Sequence, residues 1–339
     1  MRRSTRLLAV LGVLISTAGP LTAQPASVTV EPIEYQGWKN NLRLSNGTVE
    51  IVATLEVGPR IISYRPRDGR NVFKEYPDQL GKKGETSWQI RGGHRLWISP
   101  EDPVRTYVPD NGPVHHERLG AVVRLRPAAD MAHGLQKEID LELAPTGTQV
   151  KVTHRVKNIG KEPTELAIWA LSVMAPGGVE VIPLPPKRPH PGGPHQAKSA
   201  ADFAPHQSLA LWPYFDFQDS RWHFGRQFLT LRQDPNAKSP TKLGLSHRQG
   251  WVGYVNGGVL FVKRFGYQEG KTYPDHGSNY ETFTNADMLE LETLSPLVRL
   301  APNTAVEHVE TWELHLVPAD AAADEARILQ HIVPKVTGK

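Results

Sequence analysis

The sequence predicts an all-β protein built as a sandwich of antiparallel sheets. Runs of alternating apolar and polar residues, rich in β-branched side chains, recur along the chain. Gly, Pro and Asn clusters separate them, as at Asn256-Gly257-Gly258, a short hairpin signal. Helical periodicity is almost absent, and strands without intervening helices argue for a sandwich rather than a parallel α/β sheet.

Taken in order, residues 1–23 read as a secretory signal. Arg2, Arg3 and Arg6 form the basic region, Leu7 to Ile15 the apolar core, and Leu21-Thr22-Ala23 precedes the cleavage site. A periplasmic or secreted mature chain, residues 24–339, is expected as one β domain with no clear linker. Thr48 to Val57 alternates cleanly, and Arg60 to Tyr64 continues it after a Gly58-Pro59 turn. Further strands are expected at 121–125, 138–143, 149–156, 165–173, 228–231, 251–254, 259–263, 288–294 and 305–316. Only Asp320 to Ile332 reads as helix, with Asp320 as N-cap and Leu329 and Ile332 on its apolar face.

Composition excludes several functions. The chain has 339 residues and no cysteine, so neither a disulfide framework nor a thiol-linked lipid anchor is available. Its formal charge of +4 rests on 39 Lys and Arg against 35 Asp and Glu; without the three signal arginines it falls to +1. A nearly neutral mature chain gives no electrostatic reason to expect nucleic acid or an anionic membrane surface. No stretch after the signal reaches the roughly 18 apolar residues of a membrane span. P-loop, dinucleotide, HExxH and GxSxG patterns are missing, and no cofactor or metal is expected.

The most polar segment is Gln89 to Arg118, which carries Arg91, His94, Arg95, Glu101, Asp102, Arg105, Asp110, His115, His116, Glu117 and Arg118. Gly92, Gly93, Pro100, Pro103, Pro109, Gly112 and Pro113 break it into turns and short extended pieces. Trp97, Ile98, Tyr107 and Val114 interleave with the charges, so the segment is expected to pack and to aim its polar groups at a sugar-sized ligand. A second polar stretch, Tyr273 to Glu281, offers Asp275, His276, Asn279 and Glu281 to sugar hydroxyls or to a hard cation. The insertion Pro183 to Gln207, dense in proline and with His190, His195 and His206, reads as a lid or rim loop. In Met288 to Leu294, alternation puts Leu289, Leu291 and Thr293 on one face and Glu290 and Glu292 on the other.

Ile90-Arg91-Gly92-Gly93, followed by Trp97 and Pro100, resembles a signature of hexose-6-phosphate mutarotases, within the galactose mutarotase-like superfamily. His115-His116-Glu117-Arg118 stands where those enzymes have an HGFAR segment, and Leu291-Glu292-Thr293 resembles the LET of galactose mutarotases. GGHRLWISPE, WPYFDF and YPDHGSNYETFTNADMLELETLSPL look closest to an uncharacterised bacterial family of that superfamily.

The resemblance implies a supersandwich of two large antiparallel sheets with a sugar cleft on a concave face. It implies Glu292 as the catalytic base. The family's acid, a histidine, falls here on Ile168 or Trp169, so His94, His115 or His116 must supply the proton if mutarotation occurs. Arg91, Arg95, Trp97, Glu101, Trp169, Asp275, Asn279 and Glu281 are the expected sugar contacts, with Trp169 as a stacking platform. His94, Arg91, one of His115 or His116, Asp275 and Glu292 are expected to line one face. A non-catalytic glycan-binding protein and a polysaccharide lyase, with Arg91, Arg95 and His94 around a uronate, remain alternatives. Oligomeric state is open.

Overall fold

A computed structural model of the chain describes residues 27–193 and 196–338. The expected signal and its cleavage site lie outside them, as does His195. Two large antiparallel sheets stack face to face. The first runs Thr29–Tyr35, Trp38–Ser45, Val49–Thr54, Arg60–Pro66, Gly93–Ser99, Thr164–Met174, Leu289–Leu294, Tyr280–Thr284, Thr241–Leu245 and Leu209–Leu211, with Val298–Leu300 added beside the Thr164 strand. The second runs Trp222–Phe224, Phe228–Arg232, Val179–Pro183, Trp251–Asn256, Val259–Phe265, Ala305–Leu316, Val150–Asn158, Leu135–Leu143, Val122–Pro127 and Val114–Leu119. The all-β supersandwich expected from the sequence is the architecture observed.

Alternation explains the core. Leu96, Ile98, Leu166, Ile168, Leu289 and Leu291 of the first sheet meet Leu125, Ile139, Leu141, Val150, Val152 and Trp312 of the second in one apolar cluster. The Thr164–Met174 strand is buried from Leu166 onward. Its inner face packs on the second sheet and its outer face lies under the walls of a cleft, so it reads as a near-continuous apolar run.

Three strands of this sheet differ from expectation. Gly93–Ser99, read from sequence as punctuated loop, is wholly buried and pairs with the Thr164 strand from Ala167↔Ser99 to Val173↔Gly93. Tyr280–Thr284 is likewise a strand, and Thr241–Leu245 joins it from a stretch with no clear signal. Each carries charged residues on its outward face, and those residues are buried by the cleft rather than solvated.

The Arg91-Gly92-Gly93 turn is a folding device. Arg91, Gly92 and Gly93 all have φ between 53° and 84°. A Cβ at Gly92 would stand 2.0 Å from the Lys74 carbonyl oxygen, and one at Gly93 2.3 Å from that of Ile61. The Arg91 side chain is fully buried. It donates to Glu85 Oε2 and to Asn111 Oδ1, each at 2.6 Å, tying two loops together.

The C-terminal helix starts later than expected. Asp324, not Asp320, caps it by accepting from the Arg327 N–H at 2.9 Å. Ile328, Ile332 and Val336 form its buried stripe against Val181, Trp251, Val255 and Val262. Leu329 lies off that stripe and is exposed. Among the described residues, no helix is long and apolar enough to cross a membrane.

Candidate functional site

Antiparallel pairing lines up side chains across the outer face of the first sheet. One row reads Arg95, Leu171, Glu292, Glu281 and Gly244, each directly opposite the next. A second reads Val173, Glu290, Phe283 and Lys242, and a third Trp97, Trp169 and Leu294. These rows floor a cleft of about 290 Å3, walled by Trp88, Trp97, Tyr107, Trp169 and Tyr214. The size and the aromatic walls suit a small ligand held by a few polar groups. Trp88, Trp97 and Tyr107 stack edge-on or tilted with centroids 4.9 to 5.5 Å apart, and Trp97 meets Trp169 at 5.3 Å.

Two ion clusters sit on the floor. Arg95 Nη1 lies 2.8 Å from Glu290 Oε1, and its guanidinium stacks 4.2 Å from the Trp97 ring. That pair is close but poorly aligned, so Nη1, Nε and Glu290 Oε1 all keep hydrogen-bonding capacity. Lys242 Nζ lies 2.8 Å from Glu281 Oε2 and 3.2 Å from Glu292 Oε2, between the rings of Trp169 and Trp212 at 4.8 and 4.5 Å. Trp169 Nε1 donates to Glu292 Oε2 at 3.0 Å, fixing the carboxylate's direction. Gly244 leaves room for Glu281, since a Cβ there would meet Glu281 Cγ at 3.3 Å and Ser278 Oγ at 2.4 Å.

Burial sets the titration of this group. It pushes the Glu292 carboxyl up to about 7, with Lys242 opposing the shift and Glu290 adding to it. Glu281 is driven well above the usual carboxylate range, first by burial and then by Glu292, again against Lys242. Burial alone would lower Lys242, but the two carboxylates outweigh it and hold the ammonium well above its ordinary value.

Of the residues expected from sequence, Arg95, Trp97, Glu101, Trp169 and Glu292 line the cleft, and Glu281 stands behind Lys242. Glu101, at the rim, accepts from the Tyr107 hydroxyl. The expectation of one face shared by His94, Arg91, His115 or His116, Asp275 and Glu292 is not met. His94 is on the same strand as Arg95 but points the other way, into the space between the sheets. There its Nδ1 meets Ser172 Oγ at 2.8 Å and its Nε2 meets His154 Nε2 at 2.7 Å. His115 and His116 lie exposed on the Val114–Leu119 edge strand of the other sheet. Arg91 is spent on Glu85 and Asn111. Asn279 accepts from the His247 N–H at 2.5 Å and donates to the His247 carbonyl at 2.8 Å, a structural clamp. Asp275, at φ 47°, is on the Pro274–Gly277 turn behind Glu281 and does not line the cleft. With Asn279 so committed and Glu281 paired to Lys242, that stretch does not present a ligand set for a hard cation.

Lys242, Glu290, Trp88, Tyr107 and Tyr214 complete the cleft without having been expected there. Lys242 had a faint signal: in Thr-Lys-Leu-Gly-Leu it alternates with apolar residues, as Glu292 does in its own strand. Among the described residues, the prolines and histidines of 183–207 do not line the cleft; the segment after them does, through Tyr214.

No family model matches the sequence, and neither does any curated protein. Solved structures do. A putative mutarotase from Salmonella typhimurium superimposes with a TM-score of 0.52 at 11% identity, covering 88% of this chain and 97% of that one. A TPR-domain containing protein from Parabacteroides distasonis gives 0.53 at 14% identity, over 84% of this chain and 49% of that one. A galactose mutarotase-like protein from Lactobacillus casei gives 0.48 at 8% identity, over 81% and 100%. What is shared at such identities is the fold: the chain has the mutarotase-like supersandwich.

Proposed function

We propose that this chain, once exported, binds an uncharged sugar ring in the aromatic cleft and interconverts its anomers. The observation that carries this is the Glu281–Lys242–Glu292 cluster on the cleft floor, oriented by Trp169. A ring of C–H bonds packs well on indole faces, and Trp88, Trp97 and Trp169 supply three. Charge argues for a neutral ligand. Arg95 is matched by Glu290, Lys242 by Glu281 and Glu292, and Glu101 adds a further carboxylate at the rim. With Arg91 and His94 outside the cleft, a sugar phosphate or a uronate would lack a free cation, which counts against the lyase reading.

Glu292, titrating at about 7, suits a general base at neutral pH. In the proposed step it takes the proton from the anomeric hydroxyl while the Lys242 ammonium gives one to the ring oxygen, and the bond from C1 to the ring oxygen breaks. The open aldehyde turns about its first carbon–carbon bond. Closure by the reverse transfers restores both residues and yields the other anomer. Glu281, hydrogen-bonding distance behind Lys242, keeps that amine charged for the next turn.

One observation favours a second reading, binding without turnover. Two carboxylates hold Lys242's proton tightly, which makes it a reluctant acid. Polarimetry on freshly dissolved α-glucose, α-galactose and other common aldoses separates the two. Accelerated approach to anomeric equilibrium is expected; an unchanged rate for an aldose shown calorimetrically to bind would leave a sugar-binding protein.

A further inference from the structure

The cleft does not end at Tyr214. The same ring forms a wall of a second hollow, about 400 Å3, lined also by Asp216, Asp219, Arg221, Asp234 and Lys238. Arg221 is the anomaly in this wall. Its side chain is only 6% exposed. Asp219 holds its Nε at 3.0 Å and its Nη2 at 2.7 Å, and Nη2 also donates to the Ser239 carbonyl at 2.8 Å. Nη1 is buried with no partner among the described residues. A buried donor left without an acceptor is costly, and an oxygen arriving in the hollow would satisfy it.

Acceptors stand around it. Asp216 and Asp234 each spend one carboxylate oxygen on their own turns, accepting from the backbone N–H of Gln218 at 2.8 Å and of Asn236 at 2.9 Å. Among the described residues, the second oxygen of Asp234 meets only Arg232, at 3.7 Å. Three carboxylates against Arg221 and Lys238 leave no excess positive charge for a phosphate or carboxylate ligand. Donors and acceptors mixed beside an aromatic ring suit hydroxyl groups instead.

Two hollows that share one aromatic wall have the geometry of adjoining sites for consecutive sugar units. We propose that the Arg221 hollow is a second sugar subsite, and that the ligand of this protein is a neutral oligosaccharide of two or more units rather than a free monosaccharide. The proposal rests on the sugar reading of the cleft. Both hollows then act together, with the unit at Glu292 carrying the reducing end and Tyr214 packing between neighbours.

Isothermal titration of the exported chain tests it, with glucose, galactose and mannose set against α- and β-linked di- and trisaccharides of each. For the matching sugar, the disaccharide should bind about tenfold or more tighter than the monosaccharide, the scale of one or two added hydrogen bonds. Asp234→Ala with Lys238→Ala should remove that gain and leave the monosaccharide Kd unchanged, and the exposed Lys238→Ala alone should remove part of it. Equal affinity for one and two units, or a gain that survives the double substitution, overturns the subsite while the cleft reading stands. Failure of every sugar at every length overturns both.

Discussion

A buried lysine–glutamate cluster packs against each of the two faces of the first sheet around Gly93–Ser99, Thr164–Met174 and Leu289–Leu294, and the two are built to opposite ends. Toward the second sheet, Lys263 lies 3.1 Å from Glu310 with both side chains fully buried. Lys263 also donates to the Leu291 carbonyl at 3.0 Å, and Trp312 Nε1 to Glu310 at 2.7 Å. Thr293 donates to Glu310 and accepts from His308. His154 Nδ1 donates to the His308 carbonyl at 3.0 Å, so its Nε2 accepts from His94, whose Nδ1 accepts from Ser172. None of these side-chain atoms is left unpartnered. His94, His154 and Glu310 are compact enough to invite a cation, but their ligand atoms are committed to one another and to Lys263. Toward the cleft, Glu281, Glu290 and Arg95 all keep unmet capacity. The lesson is that buried charge alone does not mark a site; unmet hydrogen-bonding capacity beside open volume does.

The largest expected effect breaks the inner cluster. Glu310→Gln leaves Lys263 buried without its counter-charge and should cost about 3–5 kcal/mol, read from urea unfolding. A loss under 1 kcal/mol would mean that the inner face tolerates unpaired charge and differs little from the cleft.

Glu292→Gln should do the reverse. It keeps the shape and leaves Lys242 its partner Glu281, so the unfolding midpoint should move little. Any anomerisation should drop by roughly a hundredfold or more, the scale for removing a general base. Full retained activity would take Glu292 out of the mechanism.

The two faces should also respond oppositely to pH. Burial lowers His94, His154 and His308 below the ordinary value, His308 to about 3, and His247 to about 4. Groups depressed in the folded state favour it fully above their unfolded pKa near 6.5, and that stability is lost as pH falls. At pH 5 the loss is at most about 2 kcal/mol per histidine. Glu292 is raised, so its contribution is present below the unfolded carboxyl pKa and is lost as pH rises toward 7. Burial also raises Glu281, and Glu180 to about 8, and these oppose the histidines over the same range. Unfolding free energies at pH 5 and 7.5 therefore read the Glu292 contribution as the difference between wild type and variant. In Glu292→Gln, the decline that Glu292 imposes between about pH 4 and 7 should vanish. An identical pH dependence in Glu292→Gln and wild type would mean that Glu292 is not raised in the folded protein.

The smallest effect belongs to the edge strand. His115→Ala and His116→Ala lie exposed and apart from both clusters, so each should stay within about 0.5 kcal/mol of wild type and leave sugar affinity unchanged. A marked loss of affinity in either would restore that strand to the site.

The division between Leu291 and Glu292 was legible in the sequence because strand alternation assigns faces without knowledge of neighbours. The roles of His94 and Arg91 were not. Both sit in a motif dense with titratable groups, yet His94 is sent to the inner face by that same alternation once Gly93–Ser99 is known to be a strand. Arg91 is spent on Glu85 because a turn of three residues at positive φ aims it away from the cleft. Glycines and prolines around a buried strand made it look like loop.

Sequence by itself determined the all-β class, most strand positions, the outward face of Glu292 and the aromatic supply at Trp97 and Trp169. These follow from period and composition, which are local. Only the tertiary structure decided that Lys242, far along the chain, stands between Glu281 and Glu292 on the cleft floor. Pairing register is a long-range property: a shift of one residue would have sent Lys242 to the core and left Glu281 and Glu292 without the ammonium between them.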